Sequence, residues 1–358
     1  MEYRQLGRSG MRVSKLCLGT MSYAARTDED EAHRIMSEAA DAGVNFFDTA
    51  DVYRRGGSEE FIGRWLADTG RRDEIVLATK AVWKMGDGPN HWGASRQHLT
   101  RAVEASLRRL QTDRVDLYYL HVVDPTTPVN EILETLDDLQ QQGKILYIGT
   151  SKWPSSLVCE MRLRAQFMGQ PQVVVEQSPY NLLDRRLENE MAWLCLRQGI
   201  GLCTFGPLCQ GILSGKYHRD EEPPEDARLR RAGPDHYLLT EGAYERVEQL
   251  RPLAEGRDCT LAELSIAWVM QQPFISSAIV GCRTVEHLRS AVRACEVELS
   301  DEELQRIDEI CPPGSTVSDY YDRVVWAHAR AAANEGNWRA HELVDSSRPP
   351  GTQRRSLD

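Results

Sequence analysis

Along the chain, short runs of apolar residues alternate with longer stretches in which apolar side chains recur at helical spacing. Residues 1–14 differ: two short extended pieces flank the turn Arg8-Ser9-Gly10, which predicts a hairpin. Beyond it the alternation is regular. Apolar runs at 15–18, 44–47, 75–79, 115–120, 145–149, 173–176, 200–204 and 275–280 predict eight strands. Amphipathic stretches at 28–42, 59–67, 96–110, 129–142, 155–167, 186–197, 243–255, 261–271 and 285–294 predict the helices. Several of these end at a glycine in the C-cap position, as at Gly43, Gly143 and Gly199. A last helix at 301–310 closes the pattern.

Strands that are apolar throughout belong to parallel sheets covered on both faces, and unbroken βα alternation predicts a parallel α/β architecture. An open doubly wound sheet is the competing arrangement. No GxGxxG follows any strand, which removes its usual dinucleotide fingerprint. Eight units favour closure into a (β/α)8 TIM barrel over residues 1–311, with the β-hairpin in front and a C-terminal helical extension behind. In that extension, 312–358, the aromatics Tyr320, Tyr321, Trp326 and Trp338 predict that part of it docks. Its end, 346–358, is rich in Ser, Arg and Pro and reads as disordered.

Composition narrows the function classes. With 41% hydrophobic and 27% charged residues, the chain reads as a globular protein with a sizeable core. No run of 18 apolar residues predicts a membrane span, and the polar first ten residues show no secretory signal. A formal net charge of -11 argues against nucleic-acid and membrane-surface partners, though it leaves room for a local cationic pocket. Nine scattered cysteines without a CxxC pair suit reduced thiols and a cytoplasmic location. Of 43 cationic side chains only six are lysine, so a lysine here is an informative residue type.

In a barrel the C-terminal strand ends form the active face. Here that face receives Asp48-Thr49-Ala50-Asp51-Val52-Tyr53, Thr79-Lys80, His121, Thr150-Ser151-Lys152-Trp153, Glu176-Gln177-Ser178 and Phe205-Gly206-Pro207-Leu208. Singly, each has an ordinary structural explanation: a helix cap, a packed ring, a solvated lysine, a satisfied histidine. Jointly they are coherent. A phenol titrates near pH ~10, and a neighbouring ammonium favours its ionised form and lowers that value. Asp48 would hold Lys80 charged, and a neutral His121 could orient a substrate oxygen. This set suits protonation of an alkoxide as a carbonyl is reduced. No side chain supplies a hydride, so a nicotinamide or flavin is implied.

The same residues resemble the aldo-keto reductase signature. The similarity is carried by Asp48-Thr-Ala-x-x-Tyr53, Thr79-Lys80, Asp116-Leu-Tyr-Tyr-Leu-His121, Gly143-Lys-Ile-Leu-Tyr-Ile-Gly149-Thr-Ser151 and Pro207-Leu-Cys-Gln-Gly-Ile-Leu-Ser-Gly215-Lys216-Tyr217. In order, it runs from about Tyr3 to about Ile310. Asp124-Pro125-x-x-Pro128 and the Gly215-Lys216-Tyr217 loop resemble the branch that holds bacterial reductases and potassium-channel β subunits.

The resemblance implies a catalytic tetrad of Asp48, Tyr53, Lys80 and His121, and an NADPH cofactor, NADH being less favoured. Members of the channel type tend to lack the histidine, so His121 points to a working reductase. For the cofactor the resemblance implies Thr20, Met21, Asp48, Ser151, Lys152, Gln177, Phe205, Gly206, Pro207, Leu208, Gln210, Lys216, Arg228, Gly281, Arg283 and His287. Of these, Ser151 and Gln177 would bond the carboxamide and Phe205 would stack on the nicotinamide ring. Lys216 and Arg228 would meet the pyrophosphate, and Arg283 the 2′-phosphate at the open N-terminus of the last barrel helix. Ser290-Ala291 stand where the family often carries Glu-Asn for the adenine.

Tyr23, Trp83 and Trp153 are placed to line the mouth of a pocket for a small-molecule carbonyl: aldehyde, ketone or keto-sugar. Two other classes compete. One is a cofactor-loaded regulatory subunit with little turnover. The other is a metal-dependent barrel hydrolase, for which the chain lacks HxH or HExxH spacing.

Overall fold

The computed structural model describes residues 1–219, 221–225, 227–230 and 236–322. Strands β1 (Tyr3–Gln5) and β2 (Arg12–Ser14) pair antiparallel as the expected hairpin. The barrel strands are β3 (Leu16–Gly19), β4 (Phe46–Asp48), β5 (Val76–Ala81), β6 (Val115–Leu120), β7 (Ile145–Ser151), β8 (Val173–Pro179), β9 (Gly201–Phe205) and β10 (Ser277–Gly281). All pair in parallel, in chain order, and β10 closes on β3. The chain is therefore a (β/α)8 barrel. Helices α1 (Glu29–Asp41), α2 (Gly57–Thr69), α3 (Arg96–Leu110), α4 (Val129–Gln141), α5 (Ser155–Met168), α6 (Met191–Gln198), α7 (Glu241–Glu255), α8 (Leu261–Gln271), α9 (Val285–Arg293) and α10 (Asp301–Ile310) accompany it. Among the described residues no helix is long and apolar enough to cross a membrane.

Capping explains several boundaries. Asp28, Ser95, Thr240, Thr284 and Ser300 each accept a hydrogen bond from a backbone N–H of the first turn that follows. Thr260 with Glu263, and Ser300 with Glu303, form complete capping boxes. One expected helix is shorter than its periodicity suggested. The stretch 186–197 breaks at Glu190 (φ -147°, ψ -54°), so Arg186–Asn189 forms a separate tight turn before α6. Tertiary contacts account for the break: Arg185 pairs with Glu188 and Asp308, and Asn189 Nδ2 donates to the Gly314 carbonyl.

Two apolar layers result from the period-2 alternation of the strands. The interior holds Cys17, Phe46, Ala78, Leu117, Tyr119, Val175, Cys203 and Ile279, with Leu6 and Val13 of the hairpin segment packed into it. The outer layer, including Phe47, Leu77, Tyr118, Leu120 and Leu202, packs against the helices. Tyr119 fills the barrel so fully that a Cβ on Gly149 would lie 2.5 Å from its ring. Each interior residue also fixes what stands two positions further on: Phe46 gives Asp48, Ala78 gives Lys80, Tyr119 gives His121, Val175 gives Gln177 and Cys203 gives Phe205. The expected rim residues thus share the inward face, one layer above the core.

After α10 the chain returns across the barrel. Arg185 N donates to the Ser315 carbonyl, and Val317 N to that of Leu183. Tyr321 then meets Phe205 edge-on, with ring centroids 5.8 Å apart. This is the expected docking of Tyr320 and Tyr321; Trp326, Trp338 and 346–358 lie outside the described residues.

Helices α2 and α3 approach unusually closely at Gly63, where a Cβ would lie 2.8 Å from the Leu110 carbonyl carbon. Gly63→Ala should therefore lower stability by about 1–3 kcal/mol or more, because α3 backbone cannot yield as a side-chain tip can. A urea midpoint equal to that of the unsubstituted chain would show that the helices separate freely.

Candidate active site

Asp48 ends β4, and its backbone is fixed before its side chain acts. Its carbonyl accepts from Thr20 N and Thr20 Oγ1, both at 3.0 Å. Ser58 Oγ donates to Thr20 Oγ1 at 2.8 Å. Thr49 N and Asp51 N donate to the Ala78 and Lys80 carbonyls of β5, at 2.9 and 3.0 Å. After Tyr53 the backbone turns left-handed at Arg54, Arg55 and Gly56 (φ 51°, 53° and 96°), reversing the chain into α2. Strand ladder, buttress and strained turn hold the Asp48–Tyr53 loop across the barrel mouth.

Lys80 is wholly buried. Its ammonium donates to Asp48 Oδ1 at 2.5 Å and to the Thr49 carbonyl at 2.7 Å, and lies 3.5 Å from Tyr53 Oη. Burial works against its charge, but Asp48 and Tyr53 more than offset that, and its pKa stands above the ordinary lysine value. Gln177 Nε2 donates to the second Asp48 oxygen at 2.8 Å. His121, buried, places its ring at right angles to those of Tyr53 and Trp83, with centroids 5.8 and 6.0 Å apart.

The tyrosine corrects one expectation. Its pKa is raised, not lowered: burial dominates, Lys80 pulls the other way, and Asp48 adds to the rise. The phenol is held protonated, which suits an acid.

A second group surrounds Phe205. Lys152, left-handed at φ 58°, lays its ammonium 5.7 Å from the Phe205 ring centroid. Burial, and then the charge of Lys80, bring Lys152 down to about 7. Behind it burial pushes the Glu176 carboxyl up to about 7, while it accepts from Thr150 and Ser178. Ser151 Oγ is buried and has no hydrogen-bond partner among the described residues. Gly206 adopts φ 69°, with Pro207 buried and Leu208 half-buried after it. Gln210 is left-handed at φ 56°, and its carbonyl accepts from Tyr217 Oη at 3.5 Å.

Further along the rim lies a cationic cluster. The Lys216 ammonium sits 5.7 Å from the Tyr217 ring centroid. Burial raises the Tyr217 pKa, against the charges of Arg228, Arg26 and Arg283, which all act on that one hydroxyl. Arg26 had no motif to betray it. It joins the group because Thr27 Oγ1 donates to the Arg283 carbonyl and Arg26 itself reaches that of Arg228.

Residues 15–312 match the aldo/keto reductase family. The chain belongs to that family. It is 38% identical over 334 residues to an uncharacterized oxidoreductase, YrpG, of Bacillus subtilis, covering 90% of this chain and 99% of the relative. It is 37% and 36% identical, each over 303 residues, to probable voltage-gated potassium channel β subunits of Oryza sativa and Arabidopsis thaliana. Those alignments cover 83% of this chain and 92% of each relative.

The arrangement fits the nicotinamide cofactor typical of the aldo/keto reductases. An unpartnered buried hydroxyl at Ser151, the Phe205 face and the cluster around Tyr217 offer a carboxamide contact, a stacking surface and a phosphate-binding end. Met21 is exposed beside Thr20 on the same rim, and Gly281 and His287 are exposed around the start of α9. Four placements differ from expectation. Gln177 commits its amide nitrogen to Asp48. The α9 N-terminus is not bare: Val285 N donates to Glu31 Oε1 and His287 N to Thr284 Oγ1. Tyr23 is fully buried in the outer layer, turned in by the tight Tyr23–Thr27 turn with Ala24 at φ 56°. Trp153 is buried there too, its backbone N–H donating to Glu176 Oε1, so neither lines a pocket mouth. Trp83, half-buried against His121, does face the tetrad.

Asp48→Asn leaves the buried ammonium without its counter-charge and should cost about 3–5 kcal/mol at neutral pH. The folded Lys80 holds its proton more tightly than the unfolded chain does. Its contribution is therefore complete below pH 10.5 and fades as pH rises through the folded value. The variant's deficit should accordingly shrink at alkaline pH. Urea unfolding at neutral and alkaline pH checks this, and a pH-independent deficit would contradict it.

Proposed function

We propose that the protein is an NADPH-dependent reductase of aldehydes, ketones or keto-sugars, with Tyr53 as its proton donor. The carrying observation is the Lys80 ammonium held between the Asp48 carboxylate and the Tyr53 hydroxyl, with His121 beside them. When bound, NADPH supplies the hydride to the carbonyl carbon. As charge gathers on the substrate oxygen, Tyr53 Oη gives it a proton, and Lys80 stabilises the phenolate left behind. His121 orients that oxygen, and Trp83 forms one wall against which the substrate packs. Ser151 and Phe205 hold the nicotinamide end, while Lys216, Arg228 and Arg283 hold the phosphates. The nine unpaired cysteines support a cytoplasmic setting.

The likeness to channel β subunits raises a second reading, a cofactor-loaded regulatory subunit with little turnover. The complete tetrad favours catalysis. Steady NADPH oxidation with a panel of carbonyls supports the reductase, and none with any of them supports the regulatory subunit.

Tyr53→Phe keeps the ring and deletes the proton, so turnover should fall by about 10²–10⁴-fold with NADPH affinity preserved. Near-normal turnover of a good substrate would remove Tyr53 from its role.

Cofactor choice rests on a local cation, since an overall charge of -11 repels the 2′-phosphate. Arg283→Ala should weaken NADPH binding roughly tenfold to a hundredfold and leave NADH nearly unchanged. Fluorescence titration of both cofactors reads this directly. Equal losses would assign Arg283 to a feature that the two cofactors share.

A further inference from the structure

Against the Asp48–Tyr53 loop lies a cavity of about 340 Å³. Asp51, Arg55, His91, His98, Arg101 and Arg109 are among its walls. Arg109 is already used: it pairs at 2.7 Å with Glu59, which is wholly buried. Arg55 and Arg101 are exposed, and neither guanidinium has an ion pair or hydrogen bond among the described residues. Asp51 is 1% exposed and His98 3% exposed; the Val52 backbone lies near the Asp51 carboxyl and the Asn90 backbone near the His98 ring, but neither contact has the geometry of a normal hydrogen bond. Buried polar groups left in that state are costly, and native proteins rarely keep them without a water or ligand.

We propose that this cavity is a binding site for a small oxyanion, a phosphate or carboxylate group, held between the Arg55 and Arg101 guanidinium groups, with Asp51 as a hydrogen-bond donor and His98 in the wall.

The charge state of the walls agrees with the geometry. Burial, and then the Glu59 carboxylate, hold the Asp51 pKa well above the carboxylate range, so Asp51 keeps its proton and donates. Burial brings His98 down to about 4, against a contact with the Asn90 backbone, so at neutral pH it is uncharged and its single N–H faces Asn90. Glu59 is neutralised by Arg109. The cavity therefore presents two cations without an ion pair among the described residues and one neutral donor, which repel a metal ion and suit an oxyanion. His91 is fixed beside them, since its ring packs on Gly86 and Gly88 where a side chain would collide. The walls of the cavity share no residue with the cationic cluster around Tyr217.

Inorganic phosphate and citrate, each titrated into the full chain at constant ionic strength, test this through the imidazole NMR resonances of His91 and His98. His91→Gln and His98→Gln variants assign those signals. At least one anion should shift both histidines saturably, with half-saturation at about 1 mM or below. Which anion does so identifies the head group. Arg55→Ala combined with Arg101→Ala changes only exposed side chains, and should raise the half-saturation concentration roughly tenfold or more. Arg283→Ala should leave it unchanged. Shifts that never saturate, that chloride reproduces, that survive the double substitution or that vanish with Arg283→Ala would each overturn the site.

Discussion

One buried ion pair organises the mouth of this barrel. Removing an ammonium from water costs several kcal/mol unless its partners are close and complete. Lys80 has Asp48 at 2.5 Å, the Thr49 carbonyl at 2.7 Å and the Tyr53 hydroxyl at 3.5 Å. Asp48 in turn spends its second oxygen on Gln177, and its backbone carbonyl on Thr20. Three strands, β4, β5 and β8, and the residue that follows β3 are tied to one charge by these bonds. Any slip in register would leave the charge without a partner, so the pair specifies the register of the rim.

That constraint explains why so much of the rim could be read in advance. Interior positions repeat every second residue, so a strand whose core residue is known fixes the residue standing above it at the C-terminal end. Ala78 leads to Lys80 and Tyr119 to His121 by this rule alone. Strand β6 and helices α3, α8 and α10 have the limits their periodicity predicts, because local pattern and tertiary packing ask for the same thing. The break at Glu190 was hidden for the opposite reason: its causes, Asp308 and Gly314, are more than a hundred residues away.

The misjudged side chains share that origin. Tyr23 and Trp153 follow strand ends and were expected to line the mouth. One backbone residue in the left-handed region beside each, Ala24 and Lys152, goes with a side chain packed inside. Neither is glycine or asparagine, the residue types that usually announce such a turn. Likewise α9 has a start signal in Thr284, but nothing local says that Glu31 of α1 already occupies a donor there.

The tyrosine shows how the pair and the protein's dielectric act together. Burial raises its pKa and Lys80 lowers it; the first effect wins. A phenol controlled only by the ammonium would lose its proton too readily to serve as an acid at neutral pH. One controlled only by burial would hold it too tightly. Placing the ammonium at 3.5 Å, with its strongest bond directed to Asp48 instead, leaves the phenol protonated with a cation beside it, the balance that the proposed role as acid requires. Asp48 therefore does more than neutralise Lys80: it sets how much of that positive charge Tyr53 feels. An arginine at position 80 would share its charge over a planar fork and could not divide it in the same way. The need for a compact, fully buried cation is a physical reason for a lysine here, in a chain that otherwise writes its cations as arginine.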